Sequence, residues 1–426
     1  MPGELNIVST LSRSTVPVMN VPQLVYCLLE MRPAEAVSVS AAPMPLNLCL
    51  VLDHSGSMNG SKIDNLRDAT NLVLDMLTPQ DYIAIVAFNS RNEVIFSGQI
   101  SNSAVRADLH SRISRLKADG GTKMAPAMEA GLVELRKQMP QLSSGTPNGM
   151  VNRLVLLTDG ITEKEKHCLE QADSAAKLGV PITALGIGKD WNDKLMEEIG
   201  RRTAGDADYI SSPERIRSHF QRAVQQMQAV ALQRLSMAIK PALGIEVRSI
   251  FRVHPLISRL SPEQAAGDLR VPLGELERGH GQTLLVEFVV PSRPAGTYRI
   301  AQLEAEYDVP QNGLSSQRAN LDLVLSYSHD PAVISSPDPR VMNLVEKVSA
   351  FKLQTRALQD LEAGNIPAAT QKLKGALTHL LNQGDTELAR VVEEELTNLE
   401  KGRVMSPEGR KTIRFESGKT VRLGQS

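Results

Sequence analysis

An aspartate and two serines at alternate positions, Asp53, Ser55 and Ser57, follow directly on the apolar run Leu46-Asn47-Leu48-Cys49-Leu50-Val51-Leu52. Oxygen-only side chains at this spacing suit a hard divalent cation, because the carboxylate gives charge and the hydroxyls fill positions without adding more. Two later segments offer the same chemistry. Gly120-Gly121-Thr122 puts a hydroxyl on a glycine-rich loop, and Leu154-Val155-Leu156-Leu157 runs into Thr158-Asp159-Gly160. His54 stands between Asp53 and Ser55, and its ring is expected to point away from an ion held there. No H-E-x-x-H, C-x-x-C or nucleophile-elbow pattern occurs, so zinc and serine hydrolysis lack support. Gly418-Lys419-Thr420 imitates the end of a phosphate loop, but no glycine lies five positions earlier.

These residues need elements to hold them. A continuous apolar run closed by turn residues reads as a buried parallel strand, and open α/β sheets place ligands at the carboxyl ends of such strands. Tyr82–Phe88, Val180–Gly188 and Ala207–Ile210 give further strands, while 108–117 and 126–137 read as helices. After the first motif, Ile63, Leu66, Ala69, Val73 and Leu77 form one stripe at helical spacing. Alternating elements of this length predict a doubly wound, mostly parallel sheet over residues 44–230.

Taken jointly, the order D-x-S-x-S, Gly-Gly-Thr, Thr-Asp-Gly resembles the metal-ion-dependent adhesion site of von Willebrand factor type A domains. All five expected positions match: Asp53, Ser55, Ser57, Thr122 and Asp159. The resemblance implies direct hydroxyl ligation by Ser55, Ser57 and Thr122, with Asp53 and Asp159 partly behind water. Mg²⁺ suits such a set best, since it keeps several waters and needs few protein carboxylates, and Mn²⁺ would substitute readily. The resemblance further implies a non-enzymatic module in which an Asp or Glu of a partner protein completes the coordination sphere, serving assembly or signalling. Three other readings stand beside it: an ion that only stabilises the loops, a scaffold that binds through its other parts, and an Mg²⁺-dependent phosphoryl-transfer enzyme. A haloacid-dehalogenase-type enzyme would want an acid at position 55, where this chain has serine.

The bulk properties narrow the classes. A formal net charge of −1 over 426 residues gives no field for nucleic acid or an acidic membrane, and 3% aromatics leave few platforms for bases. No apolar stretch approaches the roughly 20 residues needed to span a bilayer. The N-terminus lacks the pattern of a signal peptide. Cys27, Cys49 and Cys168 are scattered and odd in number, as free thiols in a reducing compartment would be. A cytoplasmic location is expected, and the closer resemblance is to bacterial intracellular proteins that carry a type A domain with flanking segments.

The flanks read differently. Residues 1–43 and 231–330 show short alternating strands punctuated by Pro and Gly, so the α/β domain is expected to be inserted in a β-sandwich built from both. After Ser335-Ser336-Pro337-Asp338-Pro339, residues 338–402 follow a helical pattern, broken at Gly364-Asn365 and Gln383-Gly384-Asp385, which predicts three helices. The basic tail 403–426 has Thr412–Phe415 and Thr420–Leu423 on either side of Glu416-Ser417-Gly418-Lys419, as in a hairpin. A lone hairpin is marginal in water, so it would have to dock.

Overall fold

Strands from both ends of the chain share two sheets, and a third sheet is built wholly from the residues between them. The structure is a computed structural model, and it describes residues 3–35, 37, 44–139, 149–162, 164–188, 190–265 and 267–419. The N-terminal flank supplies β1 (Leu5–Leu11), β2 (Thr15–Pro17) and β3 (Gln23–Pro33). The insertion then runs β4 (Leu46–Asp53), α1 (Ser61–Met76), β5 (Tyr82–Phe88), β6 (Asn92–Gln99), α2 (Ser103–Ser114), α3 (Met124–Lys137) and β7 (Val151–Thr158). It continues with α4 (Glu165–Leu178), β8 (Ile182–Ile187), α5 (Asp193–Arg202), β9 (Asp206–Ile210) and α6 (Ile216–Gln228).

Its sheet has the order β6-β5-β4-β7-β8-β9. Every pairing is parallel except β5 with β6, an antiparallel edge strand that the sequence pattern did not single out. Strand β4 is buried on both faces, and its side chains divide by period two. Leu46, Leu48, Leu50 and Leu52 face the layer containing Leu66 and Val73 of α1 and Phe220 of α6. Cys49 and Val51 face Met128 of α3, Ala172 of α4 and Ile199 of α5. The chain steps from β4 to β5 on one side and later to β7 on the other. The carboxyl ends of β4 and β7 therefore flank the point where strand order reverses, the position at which such sheets form a crevice.

The C-terminal flank returns to the outer sheets through β10 (Val230–Pro241), β11 (Glu246–His254), β12 (Ser258–Leu260), β13 (Glu263–Ala265), β14 (Asp268–Glu277), β15 (Gln282–Val290), β16 (Gly296–Val309) and β17 (Leu314–Ser328). One sheet has the order β1-β3-β15-β11-β12 and the other β13-β14-β10-β16-β17-β2. A single apolar core lies between them, with Cys27, Leu29, Val286 and Phe288 from the first packed on Met237, Leu303, Ala305 and Leu325 from the second. Arg153 of β7 is paired with Glu275 of β14, both side chains nearly buried, and so ties the inserted sheet to the sandwich.

Beyond the sandwich lie α7 (Pro339–Glu362), α8 (Ile366–Asn382), α9 (Thr386–Glu400) and α10 (Pro407–Glu416). The first three start at side-chain caps: Asp338, Asn365 and Asp385 each accept from a backbone N–H in the first turn. The fourth corrects the hairpin expected in the tail. Residues Thr412–Phe415 are helical, initiated by Ser406 as N-cap with Pro407 in the first turn. The second expected strand, Thr420–Leu423, lies outside the described residues. Alternate burial of Lys411, Ile413 and Phe415 mimics a strand because this helix is buried on two opposite sides. Ile413 packs on Leu373 and Val392 of the helical bundle, and Phe415 on Trp191 of the α/β domain.

Candidate metal centre

The three predicted oxygen clusters meet at the carboxyl edge of the inserted sheet. The loop after β4 is pinned from two sides: His54 N–H donates to Phe88 O at 2.9 Å, and Gly56 N–H to Gly120 O at 2.9 Å. The glycine loop is held in turn by Asp119 N–H on His54 O at 2.9 Å and Gly121 N–H on Ser90 Oγ at 2.8 Å. Gly120 has φ +75°, a conformation that a side chain would resist, and a Cβ there would also press on Ser90 Oγ at 3.0 Å. The imidazole of His54 turns away to Lys117 O, 2.8 Å from Nδ1.

Asp53 and Asp159 are both fully buried. The carboxylate of Asp53 is committed within the protein: Oδ1 accepts from Ser55 N–H at 2.8 Å and Oδ2 from Thr158 Oγ1 at 2.5 Å. Burial pushes its carboxyl above the usual carboxylate range, opposed by those hydrogen bonds and reinforced by the charge of Asp159. Ser55 Oγ lies 3.1 Å from Ser57 Oγ, which donates to Asp159 Oδ1 at 2.6 Å. Thr122 stands beside them, since a Cβ added to Gly160 would meet Thr122 Oγ1 at 3.0 Å. The backbone carbonyl of Thr122 accepts from Thr162 Oγ1 at 3.2 Å, which ties this loop to the segment after β7. Ser57 is exposed and Thr122 half-buried, which opens one side of the cluster to solvent.

This donor set fits a small hard cation. Neighbouring oxygens around an octahedral ion held at about 2.1 Å are about 3 Å apart. The spacings of 3.1 and 2.6 Å along Ser55, Ser57 and Asp159 are of that size. Among the described residues no three His, Cys, Asp or Glu side chains gather, so a soft-metal site of thiolates and imidazoles is not formed. All three cysteines are buried and free, and burial pushes each thiol up, to about 11 for Cys168.

Two residues at the site had no assigned role in the sequence reading. Thr158 fixes Asp53, and its only advance signal was its place between the strand and Asp159. Lys62, the second residue of α1, bonds Asp159 Oδ2 through its ammonium and reaches Ser57 O at 3.3 Å. No helix among the described residues is long and apolar enough to cross a membrane.

A doubly wound sheet with a cluster of oxygen side chains at the β4/β7 switch point defines a class, and residues 47–226 match the von Willebrand factor type A domain family. The chain carries a type A domain, followed over residues 339–423 by a match to the Sll0103-like C-terminal alpha-helical domain. Protein sll0103 of Synechocystis is 28% identical over 388 residues, covering 89% of each chain. The E3 ubiquitin-protein ligase WAV3 of Arabidopsis thaliana is 25% identical over 84% of this chain, which spans 46% of WAV3. Among solved structures, a von Willebrand factor type A protein from Catenulispora acidiphila superposes with a TM-score of 0.80 at 16% identity, over 99% of this chain and 97% of the other. The ArnB paralog VWA2 from Sulfolobus acidocaldarius gives 0.59 at 14% identity, over 98% of each chain. At these identities the superpositions speak for the fold alone.

Proposed function

We propose that this protein is a non-enzymatic, Mg²⁺-dependent protein-binding module of the cytoplasm. Its ion would be held by Asp53, Ser55, Ser57, Thr122 and Asp159, and would accept one Asp or Glu side chain from a partner. The observation that carries this reading is the convergence of Ser55, Ser57 and Asp159 oxygens at spacings suited to an octahedral ion, with Ser57 exposed. Type A domains commonly hold a metal here and bind proteins, which supports the same reading. Three neutral hydroxyls and two acids leave such an ion electrophilic, so a partner carboxylate can replace a water in an open position. Mn²⁺ would serve in place of Mg²⁺. The phosphoryl-transfer alternative gains nothing from the geometry, because Asp53, its would-be nucleophile, is buried and hydrogen-bonded through both oxygens.

Calorimetric titration of MgCl₂ should give one ion per chain in the native protein and none in Asp53→Ala. Partner capture from the native cell should then fail with chelator, with Asp53→Ala and with Thr122→Ala. The three losses should not add, because each removes the same contact. Capture that survives chelation would overturn the reading.

A further inference from the structure

Asp53 and Asp159 bring two buried carboxylates to one point, and like charges so placed need a cation. The chain supplies one itself. Lys62 Nζ is bonded to Asp159 Oδ2, and the remaining oxygen of that carboxylate accepts from Ser57 Oγ at 2.6 Å. The same ammonium lies 3.3 Å from Ser57 O, so it touches two residues of the candidate metal centre. Its own helix does not favour it there. Lys62 is in the first turn of α1, where the helix dipole repels positive charge, and the lysine side chain folds back across that end. The loop after β8 confines it from the other side: a Cβ on Gly188 would meet Lys62 Nζ at 3.8 Å and Cε at 3.9 Å. That loop is itself held by Trp191 Nε1 donating to Gly188 O at 2.7 Å.

We propose that Lys62 is an internal counter-cation that competes with the divalent ion for Asp159. In metal-free protein its ammonium balances the buried carboxylates and ties the loop after β4 to the loop after β7. Metal entry moves the ammonium off Asp159, so the affinity of the site is set by exchange of one cation for another. The inference rests on the metal-binding reading above and adds to it a residue that tunes affinity without ligating.

The test compares the full-length native protein with Lys62→Met and Lys62→Arg by calorimetric titration with MgCl₂ and by thermal melts in chelator and in saturating Mg²⁺. The expected result is that Lys62→Met binds Mg²⁺ about tenfold more tightly, in keeping with loss of a partly buried ion pair. Its melt in chelator should fall below that of the native protein, and the gap should close in Mg²⁺. Lys62→Arg, which keeps the charge, should stay near native affinity. Should Lys62→Met fail to fold, amine labelling of the native protein read by mass spectrometry decides the matter: Mg²⁺ should raise labelling at Lys62 several-fold and leave distant lysines unchanged. Equal or weaker Mg²⁺ binding by a folded Lys62→Met, or unchanged labelling of Lys62 in protein shown to hold Mg²⁺, overturns the role of Lys62 while the metal centre stands. No binding by either protein overturns both.

Discussion

The ammonium of Lys411 lies over the ring of Trp191, 4.3 Å from its centroid, and donates to the Trp191 backbone carbonyl at 2.9 Å. This contact joins the last described helix, α10, to the loop between β8 and α5, at the same sheet edge as the candidate metal centre. Arg414 reinforces it through Asp193 at 2.8 Å and Glu197 at 3.1 Å.

Lys411 should make stability depend on pH in the alkaline range. Burial pushes its ammonium down to about 8, against the pull of Asp193. An unfolded lysine keeps its proton to about pH 10.4. Between those values the unfolded chain binds more protons, so the contribution of Lys411 to stability rises with pH. The denaturation midpoint of the native protein, measured against Lys411→Met, should climb from pH 7.5 to 9.5. A constant difference would show that the ring and the carbonyl hold the ammonium charged throughout.

Gly186 leaves the space that Trp191 fills. A Cβ there would fall 2.2 Å from the indole ring, a clash that must move one or the other. Gly186→Ala should cost about 1–3 kcal/mol and loosen the docking of α10. Trp191 is the single tryptophan of the chain, so its fluorescence reports the shift directly. Cleavage near the exposed Val404 should quicken in parallel, and unchanged emission would show that the strand yields instead.

Arg153→Met should be among the more damaging single changes. Burial raises the carboxyl of Glu275, and the Arg153 guanidinium is what opposes that rise. Removing one partner of a buried pair costs about 3–5 kcal/mol, whereas replacing both is often close to neutral. The double variant with Glu275→Leu should therefore recover much of the loss in denaturant melts. A double variant as weak as the single would locate the damage in packing rather than charge.

Metal linkage should be visible in the fold. At Mg²⁺ about tenfold above its dissociation constant, binding adds about 1.4 kcal/mol, or about 3 °C for a domain of this size. Asp53→Ala should lose that response without unfolding, because removing one of two buried like charges relieves repulsion. A strongly destabilised Asp53→Ala in chelator would mean that its bonds to Ser55 N–H and Thr158 matter more than its charge.

Local chemistry was enough to mark much of this protein. Apolar runs closed by Asp53 and Thr158 announced buried parallel strands, because a strand covered on both faces needs no polar alternation. The breaks at Gly364-Asn365 and Gln383-Gly384-Asp385 announced the helices that follow them, because turn residues and an N-cap such as Asp385 act within one turn. Type and spacing marked the oxygen residues as suited to a hard cation, and the resemblance to type A domains joined Asp53, Ser55, Ser57, Thr122 and Asp159 into one candidate set. Tertiary structure decided the rest, since those outcomes depend on what lies opposite. Edge strand β6 shows too little burial for a clear pattern. Helix α10 imitated a strand because two separate bodies cover it, Ile413 facing one and Phe415 the other. Lys62 carried no signal either: only the fold brings it, from the helix end that repels it, onto the buried carboxylate of Asp159.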